Sequence, residues 1–418
     1  MKMKKIISFI FLIAFTFLSA QEKSIKEFRK DFEKAISTDF TEEQLNTLFR
    51  DYPLILTPHT YTTQLISALE GNNPNDYSML DFKEDPLYTQ NIDRLLKSRN
   101  QNQRIFSYLL VATTQDHSKE QLLLEKIKTE NTPDALIWSG IALLSLQTHH
   151  TDELFDFLVK NEDFGDAHML PMYFGLNKDS LQSTAYKKID NNDEKSKILA
   201  VQILSLTGNN PKTEELVRNA VKNWDINLKG YAIYTLGELQ LPNVLPLVQP
   251  LLQNQKTRQI SLRALANSPT KEDRAYIATA ISSNKAFDED MMNALFQSKN
   301  IQNIKLWLSV IQIKNPPKDY YFSVPNQPLI TSDEVLKDLH NALRNIKNKS
   351  VLAELVRALQ KRNDDESVRI MLDLLKNPSS TVRYWTAETL QDNPNPILTT
   401  KENKKLIKKG LKDGNSVD

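Results

Sequence analysis

The chain has 418 residues, with 53 Lys and Arg against 52 Asp and Glu, and it contains no cysteine. A net charge close to zero lacks the broad positive field on which nucleic-acid-binding proteins depend. Without cysteine the fold has no disulfide bonds and no thiolate chemistry, and its stability must come from packing. Nine glycines are too few for many β-turns or for a phosphate-binding loop. Long stretches with helical spacing of apolar residues therefore predict an all-α protein.

Residues 1–20 have the pattern of a secretory signal peptide. Three lysines precede an uncharged apolar run over residues 6–18, and Ser19 and Ala20 supply small residues for cleavage. The run is shorter than the ~20 residues that a membrane-spanning helix needs. We expect cleavage after Ala20 and an exported protein, periplasmic or secreted, with no transmembrane segment. The remaining chain has 50 basic against 52 acidic residues, which further disfavours nucleic acid as a partner.

Residues 96–395 contain a repeat of about 31 residues. One large apolar residue recurs near the end of successive predicted helices, and we call these residues the column. Six of the nine residues that stand one helical turn earlier are small, which lets a neighbouring helix approach closely. The column consists of Val111, Leu144, Leu176, Leu204, Leu236, Leu265, Phe296, Leu359 and Leu390. The step from Phe296 to Leu359 spans two periods, so one member is missing there.

An apolar helical run precedes many of the column residues, so each unit is predicted to be a helical hairpin. A period of this size built from two helices is typical of an α-solenoid, in which stacked hairpins supply the core for one another. Residues 21–95 are predicted to form further hairpins of this kind. They carry an inserted loop at residues 71–86, because Leu69 lies 42 residues before Val111, more than one period.

The stretch LLKNPSSTVRYWTAETL, residues 374–390, resembles the short HEAT-like repeat of about 30 residues. It has the leucine-rich first helix, the Asn-Pro turn, the Val-Arg opening of the second helix and the small-x-x-x-Leu ending. Residues 223–239 repeat the second-helix pattern, whereas Thr257-Arg258 lacks the valine and the unit ending at Leu176 matches poorly. The resemblance implies a right-handed α-solenoid, an armadillo/HEAT-like superhelix of stacked antiparallel helical hairpins. It implies little about function, since such repeats serve many roles.

The missing column member coincides with NPPKDYYFSVPNQP, residues 315–328, which holds four prolines and cannot be a regular helix. Its adjacent aromatics, Tyr320, Tyr321 and Phe322, are candidate partner-binding residues, because exposed tyrosines offer large, rigid contact area. Alternatively, the segment folds back and plugs the gap in the stack. The two interpretations do not exclude each other.

Residues 396–418 are predicted to form a terminal cap helix and a tail. Residues 399–402, Thr-Thr-Lys-Glu, offer a capping box, and Leu406, Ile407 and Leu411 follow among several lysines. These lysines are expected to form the solvated outer face of the cap. A weak contact with an anionic membrane or polysaccharide of the envelope is the alternative.

Motifs for catalysis or metal binding are not found. The sequence has no Gly-x-Ser-x-Gly elbow, no phosphate-binding loop and no His-Glu-x-x-His. Only THHTDEL, residues 148–154, gathers potential ligands, and adjacent histidines point in different directions on a helix, so we interpret it as a solvated turn. The acidic residues within 76–85 lack the spacing and the glycine of a calcium loop. We therefore predict no catalytic, cofactor-binding or metal-binding residues and no cofactor.

These observations favour a non-enzymatic, exported scaffold of the bacterial cell envelope that holds a protein partner on the concave face formed by the second helices of the hairpins. The alternative is an accessory part, or a degenerate relative, of a HEAT-containing enzyme such as a bilin lyase or an aminopeptidase. Export argues against the lyase, and the missing zinc motif argues against the peptidase. A nucleic-acid-binding HEAT protein, similar to the DNA glycosylases of this fold, is disfavoured by the charge.

Overall fold

The computed structural model describes residues 24–36, 40–52, 55–56, 79–161, 176–283, 286–314, 316–317, 320, 322–324 and 327–416. Across these ranges the chain forms 21 α-helices and several short 3-10 helices, and no β-strand. The all-α prediction is thereby confirmed for this part of the chain. None of the described helices is both long and apolar enough to cross a bilayer. The predicted signal peptide and residues 71–78 of the predicted loop at 71–86 lie outside the described residues, and the rest of that loop contains a 3-10 helix, Leu80–Glu84.

The chain divides into two compact units, Met1–Asn209 and Asn210–Asp418. In unit 1, α3 packs on α4, α5 on α6 and α8 on α9, and α4 also packs on α6. Its described helices are α1 (Ile25–Ile36), α2 (Glu42–Asp51), α3 (Pro86–Leu96), α4 (Gln101–Thr114), α5 (Glu120–Thr129), α6 (Pro133–Ser145), α7 (Thr151–Lys160), α8 (Lys178–Lys188) and α9 (Glu194–Thr207).

In unit 2, α10 packs on α11 and α19 on α20, while α11 packs on α13, α13 on α15 and α18 on α20. Helices therefore contact both the neighbour in the chain and the helix one period away. The described helices are α10 (Pro211–Asn223), α11 (Ile226–Glu238), α12 (Leu245–Val248), α13 (Arg258–Asn267), α14 (Lys271–Ser283), α15 (Glu289–Phe296), α16 (Ile301–Ile313), α17 (Asp333–Asn345), α18 (Lys349–Arg357), α19 (Asp365–Leu374), α20 (Ser380–Leu390) and α21 (Lys401–Lys412).

All nine column residues are buried, and none exposes more than 5% of its surface. Seven of them lie in helices, Leu359 is the second residue after α18, and Leu176 lies just before α8 rather than in a described helix. We call α4, α6, α9, α11, α13, α15, α18 and α20, the helices that end at or near a column residue, the second helices. The small residues one turn earlier do allow close packing, since a Cβ atom on Gly140 would overlap the ring of Phe157.

The arginine of the Val-Arg pattern closes the turn that precedes its helix. Arg383 Nη1 donates to the carbonyl oxygens of Asn377 and Pro378 at 2.7 and 2.8 Å. Arg104, which stands at the same distance before its column residue, donates in the same way to the carbonyl oxygens of residues 98 and 99, at 2.9 and 3.1 Å. Carbonyl groups in a tight turn have no helical partner, so the arginine satisfies them.

The same arginines join successive units of the repeat. Arg258 also stands seven residues before its column residue, and each of the three guanidinium groups pairs with a carboxylate 26 to 30 residues later, about one period further along the chain. These pairs are Arg104 with Glu130 at 2.8 Å, Arg258 with Asp288 at 2.6 Å, and Arg383 with Asp413 at 2.7 Å. One residue type therefore fixes both the turn within a unit and the spacing to the next unit.

The interruption between α16 and α17 is linked to the preceding unit by a buried residue at the position of the missing column member. One period after Phe296 stands Gln327, which is only 5% exposed. Its Nε2 donates to the carbonyl oxygens of Phe296 and, at 3.1 Å, of Ser298. In the preceding unit Ser298 itself donates from Oγ to the carbonyl oxygen of Ala266 at 3.0 Å, again about one period back. A side-chain amide thus replaces the missing helix in linking one unit to the next.

Candidate partner-binding surface

The described aromatics of the interruption are buried. Tyr320 and Phe322 expose 6% and 7% of their surfaces. The Phe322 ring lies 5.2 Å from the Phe296 ring and 5.0 Å from the Trp307 ring, and Trp307 Nε1 donates to the Tyr320 hydroxyl at 3.4 Å. This packing is what the plug interpretation requires. Tyr321 lies outside the described residues, and a role of the three aromatics in binding a partner stays a prediction.

The histidines of THHTDEL lie in the turn before α7. Asp152, in the first turn of α7, accepts hydrogen bonds from Thr184 and Lys187 on α8 at 2.9 and 2.8 Å. That carboxylate is used to join two helices. Over the described ranges no three His, Asp or Glu side chains are grouped closely enough to hold a metal ion.

A surface cavity of about 430 Å³ lies beside α3 and the turn that follows α4. Its most deeply placed polar groups already satisfy one another. The Tyr88 hydroxyl donates to Asp116 Oδ2 at 2.9 Å, and Asp116 Oδ1 accepts from the Ser118 amide and hydroxyl at 3.1 and 2.6 Å. This arrangement caps a 3-10 turn and brings no nucleophile next to a free base.

A polar aromatic surface is open on the second helices of unit 2. We call it the unit 2 face, and it consists of Tyr231, Tyr234, Glu238, Arg263, Gln297 and Lys299. The Arg263 guanidinium lies 5.2 Å from the centroid of the Tyr234 ring, a cation–π contact. Tyr231, one turn earlier on α11, is 40% exposed, an unusual value for a large aromatic residue in this chain.

Charged groups from three successive units meet on the unit 2 face. Glu238 accepts from Arg263 Nη2 at 2.9 Å and from Lys299 Nζ at 2.9 Å, and Arg263 Nη1 donates to Gln297 Oε1 at 3.5 Å. Partial burial, with Glu238 adding to the effect and Arg263 opposing it, raises the pKa of Tyr234, so its hydroxyl is a neutral hydrogen-bond donor. The face offers aromatic stacking, ion pairs and hydrogen bonds, and no group activated for covalent chemistry.

The corresponding face of unit 1 is covered by the N-terminal helices. Phe106 stands five residues before its column residue, as Tyr231 does in unit 2, but it is only 1% exposed. The rings of Phe28, Phe32 and Phe40 lie 6.3, 5.4 and 5.4 Å from it.

Two further contacts hold this cover in place. The Phe49 ring of α2 stacks on Trp138 of α6 at 5.8 Å. Asn100 and Asn102, at the start of α4, donate from Nδ2 to the carbonyl oxygen of Phe40 at 3.0 and 3.2 Å. The segment from α1 to α2 therefore lies across two second helices and completes the core of unit 1.

The sequence analysis predicted that second helices form the binding surface but named none of the residues of the unit 2 face. A signal was present at the position five residues before the column, which is Phe106 in α4 and Tyr231 in α11. Comparison of the chain with protein-family models and with curated proteins gives no match.

Proposed function

We propose that this protein is a non-enzymatic binding scaffold whose unit 2 face holds a protein partner. In this proposal the two units belong to one right-handed HEAT-like α-solenoid, and the unit 2 face lies on its concave side. The buried column, the packing of second helices one period apart and the arginine pairs between successive units support the repeat assignment. The signal-peptide pattern supports export to the cell envelope.

One observation carries the functional proposal. The second-helix face is covered by aromatic rings in unit 1, whereas in unit 2 the equivalent face is open and consists of tyrosine, arginine and paired charges. Tyrosine and arginine are the residue types enriched at the energetic centres of protein interfaces. The ion pairs hold Arg263 and Lys299 in place before a partner arrives, so fewer side-chain rotamers are lost on binding.

The proposal is tested by capture from an envelope extract of the source cells, identification of the captured protein, and measurement of its Kd with purified components. The double substitution Tyr231→Ser and Arg263→Ser is expected to raise the Kd roughly several hundredfold, because interface centres contribute about 2 kcal/mol or more each and about 1.4 kcal/mol is a tenfold change in Kd. Tyr276→Ser is the matched control, since Tyr276 is a partly exposed tyrosine on α14, which is not a second helix. Equal Kd values for the double variant and the control would contradict the proposal.

A further inference from the structure

Helix α21 carries a stripe of lysines along one side. At 100° per residue, its six lysines fall within an arc of about 140°, and the stripe is about 17 Å long. All six side chains are exposed, and they are Lys401, Lys404, Lys405, Lys408, Lys409 and Lys412. Among the described residues none of the six forms an ion pair with a carboxylate, and Glu402 is the one acidic residue within α21. Asp413, directly after α21, interacts electrostatically with Lys409, so the stripe is a concentrated positive charge that is only partly neutralised.

The opposite side of α21 packs against α20. Ile407 and Gly410 are buried, and a Cβ atom at Gly410 would lie 2.9 Å from the carbonyl oxygen of Arg383, while Leu406 and Leu411 at the margins of this side are partly exposed. The centre of the apolar side is thus unavailable for insertion into a bilayer. Any partner of the stripe has to be held by electrostatic attraction from the outside.

The shape of the stripe favours a flat, negatively charged surface over a groove-binding polymer. The side chains project from the outward side of a straight helix and form no cleft. They are lysines, which act as point charges, and neither arginine nor an aromatic residue is present for bidentate or stacking recognition. We propose that α21 docks the protein on a membrane that contains anionic phospholipids, with the lysines at headgroup level and the helix parallel to the surface.

Vesicle flotation with the full chain tests this inference. Vesicles of phosphatidylcholine alone are compared with vesicles that contain about 30% phosphatidylglycerol, at low and at physiological salt. The stripe variant is Lys404→Gln, Lys405→Gln and Lys408→Gln. The control variant is Lys271→Gln, Lys337→Gln and Lys347→Gln, three exposed lysines elsewhere in unit 2. Both variants lose the same total charge, so they separate the local stripe from the net charge.

We expect the wild type to bind the anionic vesicles and not the neutral ones, with weaker binding at higher salt. Each headgroup-level lysine contributes about fivefold to partitioning, so the stripe variant should bind roughly a hundredfold more weakly and the control variant nearly as well as the wild type.

Circular dichroism confirms that both variants remain folded. Equal binding of the two variants, or no binding of the wild type to anionic vesicles, would overturn the inference. Retention on polyglutamate or heparin without vesicle binding would assign the stripe to a soluble polyanion and would equally overturn it.

Discussion

The second-helix face is used in two ways in the two units. In unit 1 it is core, because α1 and α2 lie across α4 and α6 and reduce the exposure of Phe106 to 1%. In unit 2 the same position is Tyr231, with 40% exposure, and Glu238, further along the same helix, pairs with Arg263 and Lys299. The helical period therefore accounts for the buried column, but it does not determine whether the other face of the second helices is buried or exposed. At Phe106 that face becomes core because the N-terminal segment, which lies outside the repeat, packs on it, whereas Tyr231 stays exposed.

The comparison predicts that substitution by alanine costs much more stability at Phe106 than at the equivalent position, Tyr231. Phe106→Ala should lower the free energy of unfolding by about 3–5 kcal/mol, because it removes a buried ring from a packed aromatic cluster. Tyr231→Ala should cost less than about 1 kcal/mol, because its ring is largely in contact with water. Urea denaturation of both variants measures the difference. Similar losses for the two variants would mean that the unit 2 face is covered in solution.

The interruption at residues 315–328 offers a second covered aromatic group, this time inside unit 2. Tyr320→Ser combined with Phe322→Ser should destabilise the protein by about 3–5 kcal/mol if the two rings plug the gap, as their burial indicates. If they instead contact a partner, the melting temperature stays nearly constant and the capture of the partner weakens. A variant whose melting temperature and partner capture are both unchanged would contradict both interpretations.

The arginine pairs also differ between the two units. Arg104 and Glu130 have side chains only 9% and 2% exposed, whereas Arg383 and Asp413 are 22% and 21% exposed. Arg104→Gln should cost about 3 kcal/mol, since it leaves a buried carboxylate without its counterion. Arg383→Gln should cost about 1 kcal/mol, because water screens that pair and only the hydrogen bonds to the turn are lost.

Thermal or urea denaturation of these two single variants provides the check. An equal cost at both sites would show that the link between units matters more than the burial of the pair.

Periodicity was sufficient to predict the helices and the buried column, because burial of a large residue every 31 positions leaves a direct pattern in the sequence. The Asn-Pro turn before α20 followed from the same pattern, and Arg383 explains why arginine belongs there. The cover over unit 1 was not predictable, since the amphipathic pattern of α1 shows that it has a buried side but not what it packs against. For the same reason the openness of the unit 2 face, and with it Tyr231, became visible only in the structure.

Leu176 marks the limit of the pattern. It fits the column by spacing and is buried, yet it lies before α8 and outside any described helix. The arginine pattern gives no further guidance, because only three of the nine units, those that end at Val111, Leu265 and Leu390, carry an arginine seven residues before the column residue.

Acid should affect the stability of the two units differently. In unit 2, His340 of α17 is 3% exposed and its Nε2 lies 2.8 Å from Ser367 Oγ of α19. Burial lowers the pKa of His340 below its usual 6.5, although the carboxylates of Glu366 and Asp364 oppose the shift. In unit 1, burial acts to raise the pKa of Glu130, but hydrogen bonds from its partners outweigh it and lower that pKa to about 2.

These shifts act in different pH ranges. The unfolded chain takes up a proton at His340 near pH 6.5 and the folded chain only at lower pH, so stability falls as the pH drops below about 6.5, by at most about 1.4 kcal/mol per pH unit. The stabilisation from Glu130 is present above its unfolded pKa near 4.5 and is lost as the pH falls from there towards 2.

Urea denaturation between pH 7 and pH 5 should therefore show a free energy of unfolding that falls with pH. The substitution His340→Asn should reduce this slope, and His117→Asn, at an exposed histidine, should not. Hydrogen exchange at pH 5 should place the weakening in α17 and α19 and leave α4 and α6 protected, because Glu130 is still ionised there. A loss of protection shared equally by both units would contradict this assignment, since a single buried histidine between α17 and α19 acts only on the helices that pack around it.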